Sequence, residues 1–219
     1  MTLLACVATE DYVLVGADGR QTVLSGKSLE GHTDAHTVEV DKFHKVEGKK
    51  LAWGVVNDVS AERCLESWLT EEADEDQDWP EFCSDLSVAC GTLRKTQRLN
   101  VLGDLGIDPK EDPLQALNIP GFDLVVGGFV GGVGGVVVEP DVSSPYLFLE
   151  NGEPHFFGPF SATAHVAWKA FEAASTAPVS MADPETFKKV LRAICGNTRD
   201  LWLPEKAWML KRNGEFGSV

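Results

Sequence analysis

Thr2 follows an initiator methionine, and a methionine before so small a residue is normally removed. Removal gives Thr2 a free α-amine, whose ordinary pKa of about 7.7–8.0 lets it act as a general base near neutral pH. A hydroxyl and its base then share one residue, which is the threonine/N-terminal-amine way of activating a weak nucleophile. Such a site needs two further parts: a positive neighbour that holds the amine's pKa down, and a donor for the oxyanion. Taken alone, Asp18 before Gly19 reads as a turn residue, and Lys42 reads as a solvated strand lysine.

Other chemistry finds less support. His32, Asp34 and His36 alternate, so a strand would put them on one face as metal ligands, but with no neighbouring ligand a polar loop is the better reading. The five cysteines are odd in number and none has CxxC spacing, which argues against a disulfide framework and a zinc site; Cys6 reads as buried packing. The glycines at 127, 128, 131, 132, 134 and 135 do not fit GxGxxG and precede no GK[ST], so they predict a hairpin tip or close backbone approaches rather than a phosphate cradle. No cofactor or metal is expected. A net charge of −15 argues against nucleic acid, an anionic membrane surface or a strongly acidic substrate as partner. The acidic run from Glu71 to Asp78 reads as a solvated loop. No basic n-region or long apolar run opens the chain, so a cytoplasmic location is expected.

The elements that must hold these residues are legible from periodicity. Leu3–Thr9 and Tyr12–Ala17 predict a hairpin ending at Asp18-Gly19-Arg20. Residues 20–38 read as polar and irregular, followed by strands at Thr37–Val46 and Leu51–Val56. Asn57 or Asp58 caps a helix through Leu65 and Trp68, and Trp79-Pro80 opens a second through Leu93. Residues 103–121 read as a loop. Strands return at Phe122–Phe129, Val136–Glu139, Tyr146–Leu149 and His155–Phe157. Helices follow from Ser161 and from Asp183-Pro184 to Gly196, and a strand at Ala207–Lys211 closes the chain. Trp53, Trp68, Trp168, Trp202 and Trp208 lie on apolar faces and read as core or subunit contact. Strand blocks alternating with helix pairs make a layered sandwich, in one domain over residues 1–219.

The stretch TLLACVATEDYVLVGADGR resembles the opening of proteasome β subunits and of the bacterial HslV peptidase subunit. There a threonine begins the first strand and an aspartate follows sixteen residues later, the spacing of Thr2 to Asp18. DKFHKVEGKKLAWG resembles the segment carrying the family's lysine, here Lys42. FDLVVGGFVGG, FFGPFSATAHVAWKAFEAAS and TRDLWLPEKAWMLKR extend the likeness over nearly the whole chain. The resemblance implies an α+β N-terminal-nucleophile (Ntn) hydrolase fold, a four-layer αββα sandwich of two antiparallel sheets flanked by helix pairs. It implies peptide-bond cleavage by Thr2, with Lys42 lowering the pKa of the hydroxyl–amine pair and Asp18 holding Lys42. It puts a backbone oxyanion donor near Gly54, and Asp200 and Ser161 in support. It further implies a homo-oligomeric ring or stack, peptide or unfolded-protein substrates, and an unfoldase as a possible partner. The family's proton-shuttling serine is replaced by Pro159, leaving Ser161 as the nearest hydroxyl, and its late serine-glycine by Leu203-Pro204. These departures keep two other readings open, an inactive proteasome-like assembly protein and a small-molecule amidase on the same fold.

Overall fold

The first hairpin is closed by Thr9, not by the Glu10-Asp11 pair at its tip. Strand β1 (Leu4–Ala8) pairs antiparallel with β2 (Tyr12–Asp18), Leu4 facing Ala17 and Ala8 facing Val13. The Thr9 hydroxyl donates to the Tyr12 carbonyl at 2.7 Å and accepts from the Tyr12 N–H at 3.1 Å. That supplies locally the turn bonds which Asn-Gly would give through positive φ. The structure is a computed structural model that describes residues 3–18, 20–25, 34–39, 41–56, 62–106, 108, 110, 121–141, 143–197 and 205–219, with only the backbone of 20–25, 34–39, 56 and 105.

Two five-stranded antiparallel sheets carry the fold. The first is ordered β10 (Pro154–Phe157), β1, β2, β11 (Glu205–Lys211), β12 (Phe216–Ser218). The second is ordered β5 (His44–Lys45), β6 (Leu51–Val56), β7 (Asp123–Val130), β8 (Val133–Glu139), β9 (Tyr146–Leu149). Four helices are found among the described residues: α1 (Glu62–Glu71), α2 (Trp79–Leu105), α3 (Ser161–Ala174) and α4 (Pro184–Asn197).

The period-two alternation of strands decides what each sheet faces. Leu3, Ala5, Val7 and Leu14 pack on Trp168, Phe187, Leu191 and Ile194 of α3 and α4. Their neighbours Leu4, Cys6, Ala8, Val13 and Val15 turn the other way and meet Val125, Phe129, Val136 and Val138 of the second sheet. The far face of that sheet, with Leu51, Trp53, Leu124, Val126 and Val137, packs on Leu65, Leu69, Phe82 and Leu86 of α1 and α2. Because β1, β7 and β8 are buried on both faces, they read as continuous apolar runs instead of alternating ones. The described chain is thus mixed α+β, with two antiparallel sheets and four helices in an arrangement compatible with a sandwich.

Helix ends follow local chemistry. Asp78 caps α2, its carboxylate accepting from Glu81 N–H at 2.9 Å, and Gly106 ends the helix in the left-handed conformation. Asp183 caps α4 through Thr186 N–H at 2.8 Å and its hydroxyl at 2.7 Å. Those two hydrogen bonds hold the Asp183 carboxyl below its ordinary pKa.

Four sequence expectations need correction. Residues 20–38 are not wholly irregular: β3 (Arg20–Ser25) and β4 (Asp34–Glu39) form a separate two-stranded ladder, Arg20 facing Glu39. Its polar and β-branched composition lacks the apolar alternation used to find strands. The strand expected at Thr37–Val46 is therefore two pieces, β4 and the short β5. Helix α2 continues to Leu105, past the boundary expected at 103, because isolated Gly103 is tolerated inside it. A further strand, β12, follows β11 by a turn at Gly214, φ 86°. The expected cap at Asn57 or Asp58, together with Trp202, lies outside the described residues.

Candidate active site

At the open end of the first hairpin the chain buries a complete carboxylate. Asp18 is the last residue of β2, and its side chain is fully buried. Its Oδ1 accepts from the Lys42 ammonium at 2.7 Å and from the backbone N–H of Leu3 at 2.8 Å. The Asp18 N–H returns a bond to the Leu3 carbonyl at 3.3 Å. Lys42 is 9% exposed, so neither member of the pair is the solvated side chain that each would be if read alone. A charge removed from water this far persists only when paired and hydrogen-bonded. Asp18 Oδ2 has no hydrogen-bond partner among the described residues.

Lys42 reaches this point because Gly54 lets it. A Cβ on Gly54 would come within 2.6 Å of the Lys42 carbonyl oxygen and 3.2 Å of the Phe43 ring. The segment that carries Lys42 can therefore lie against β6 only at a glycine. Gly54 itself is directed into the β6–β7 ladder opposite Val125. Lys50, four residues earlier, accepts from Phe129 N–H at 2.9 Å, and strand parity turns Gly54 N–H to the same side. The family likeness puts an oxyanion donor near Gly54; the N–H of Gly54 itself is turned toward Val125 in the ladder, and what requires a glycine here is the close approach of the Lys42 carbonyl.

Ser161 opens α3, its N–H donating to the Gly158 carbonyl at 3.0 Å, and it borders a cleft shared with Phe157 and Asp123. Thr2 and Asp200 lie outside the described residues. Thr2 is joined covalently to the Leu3 nitrogen that Asp18 holds, and consecutive Cα atoms lie about 3.8 Å apart.

The cysteines offer no rival nucleophile in the core. Cys6, Cys83, Cys90 and Cys195 are buried free thiols. Burial pushes Cys83 up to about 11, and Cys90 and Cys195 up to about 12, while Cys6 is raised further still. Such thiols stay protonated and inert. Cys64 is exposed on α1. Among the described residues no group of three or more His, Cys, Asp or Glu is placed to hold a metal.

A second charged centre escaped sequence reading. Arg94 of α2 donates to the Phe122 carbonyl (3.0 Å), to Glu139 Oε1 (3.1 Å) and to the Glu139 carbonyl (2.6 Å). Arg98 meets both oxygens of Asp141 at 2.6 Å, and Ser87 donates to Glu139 at 2.8 Å. The signal was present: Arg94 and Arg98 continue the four-residue stripe of Phe82, Leu86 and Cys90 along one helix face. This network ties α2 to the end of β8, and every charge in it is matched.

A scan against protein-family models finds no match to the chain, and a search of curated proteins finds no matching relative.

Proposed function

We propose that the chain is an N-terminal threonine peptidase with the proteasome-type Ntn hydrolase fold, a four-layer αββα sandwich. The observation that carries the reading is the buried Lys42–Asp18 pair bonded to the Leu3 amide. It is an expensive arrangement, fixed within one peptide link of a threonine whose hydroxyl and α-amine can serve as nucleophile and base. In this reading Thr2 Oγ attacks the peptide carbonyl and passes its proton to the α-amine, which delivers it to the leaving amine. The Lys42 charge favours the neutral amine and the developing alkoxide, and Asp18 fixes the ammonium's position. The resulting ester is hydrolysed by water with the amine again as base. The oxyanion donor is a backbone N–H other than that of Gly54. The proposed assembly is a homo-oligomeric ring or stack acting on peptides or unfolded protein.

One observation favours a second reading. Pro159, in the turn before α3, takes the position of the family's shuttling serine and brings no hydroxyl. That favours an assembly protein that keeps the fold without turnover. Hydrolysis of a fluorogenic peptide library separates the two. The peptidase reading expects turnover that falls at least ~10³-fold in Thr2→Ala, in Asp18→Asn and in Lys42→Ala, with circular dichroism confirming that each variant is folded. Turnover unaffected by Thr2→Ala would sink the mechanism, and no turnover in the wild type would leave the assembly protein in front.

A further inference from the structure

The end of the sandwich that holds the charge pair also holds a cleft of about 200 Å³ between the two sheets. Val125 and Val138 of the second sheet and Phe156 and Phe157 of β10 form its walls, with Tyr146 and Asp123 beside them. Two ladder rungs connect it to the charged centre. Val125 faces Gly54, the residue against which the Lys42 carbonyl packs. Phe157 faces Leu4, the neighbour of the Leu3 amide that Asp18 holds.

We propose that this cleft receives one uncharged apolar or aromatic side chain of the peptide substrate, beside the scissile carbonyl. The inference rests on the peptidase reading above. Size sets the occupant: pockets for whole small molecules run from about 300 to 1,000 Å³, and this one is smaller, suited to a single side chain. Chemistry sets its class. Valine and phenylalanine walls favour apolar surface, and the one carboxylate among the described lining residues, Asp123, already accepts from Asp141 N–H at 2.8 Å. A substrate carboxylate brought beside it would have to lose its charge, so aspartate and glutamate are rejected at this position.

The test is hydrolysis of peptides varied at the residues flanking the cleaved bond, by the wild type, Asp123→Asn and Val138→Phe. The expected wild-type preference for Phe or Leu over Asp or Glu at one position is ~100-fold in kcat/KM, the scale at which one pocket discriminates. Asp123→Asn keeps an acceptor for the Asp141 N–H and narrows the rejection of acidic residues about tenfold. Val138→Phe narrows the cleft and moves the preference at that position to smaller side chains; should it fail to fold, Asp123→Asn decides. A flat side-chain profile, or ratios unchanged in the folded variants, overturns the cleft as the recognition site while peptide cleavage stands. A wild type that cleaves no peptide and takes no β-lactone adduct overturns the peptidase reading and this proposal together.

Discussion

At the residue scale the fold spends its buried charges unevenly. Arg94, Glu139, Arg98 and Asp141 satisfy one another and the backbone around them, which is what a structural network requires. The Asp18–Lys42 pair keeps one carboxylate oxygen without a hydrogen-bond partner among the described residues. His155 is a second, half-buried titratable group with an incomplete set of partners among the described residues. It stacks on Phe148 with ring centroids 3.8 Å apart, joining the edge strands of the two sheets, and its buried Nε2 has no hydrogen-bond partner among the described residues. Burial lowers its pKa, with Glu153 nearby acting in the opposite direction. The unfolded chain therefore binds the proton more readily than the folded one, and the neutral-histidine contribution is complete above about pH 6.5. It is lost as pH falls through the folded value. Thermal melts between pH 7.5 and 5 should show a stability loss in the wild type that is smaller in His155→Phe; equal losses in both would exclude His155 as the source.

At the element scale, glycines set how near strands and loops can come to one another. Gly131 and Gly132 form the β7–β8 turn with φ of 58° and 76°, and Gly128 leaves no room for a Cβ against the Lys50 carbonyl. Gly54 does the same for the segment carrying Lys42. Gly54→Ala must push that segment away, at a cost of about 1–3 kcal/mol for overpacking. It should also lower peptide turnover by displacing the ammonium; a variant with wild-type melting temperature and turnover would show that Lys42 does not depend on this contact. The expectation of close approach at the glycine-rich stretch was available from the sequence, since no other residue class crowds six glycines into nine positions of a strand pair. So were β6 and β9, whose apolar runs are bounded by turn residues on both sides. The β3–β4 ladder was hidden because polar strands leave no periodic trace. The burial of Asp18 was hidden too, because a turn aspartate and a buried one look alike until the lysine 24 residues away arrives beside it.

At the scale of the whole molecule, three apolar layers stacked between helices and sheets hold both ends of the charged centre in register. β1 and β2 bring Leu3 and Asp18, while the second sheet, through Gly54, brings Lys42. Misplacing either sheet by one residue would turn these side chains to the opposite face. No helix among the described residues is long and apolar enough to cross a membrane. The central claim, a working threonine at the head of this arrangement, is tested most directly by intact mass before and after incubation with a threonine-directed β-lactone. The account predicts a chain lacking Met1 that gains one adduct per molecule, with no adduct on Thr2→Ala. A Met1 retained in protein matured in its native host, or a free Thr2 that stays unmodified, would contradict it.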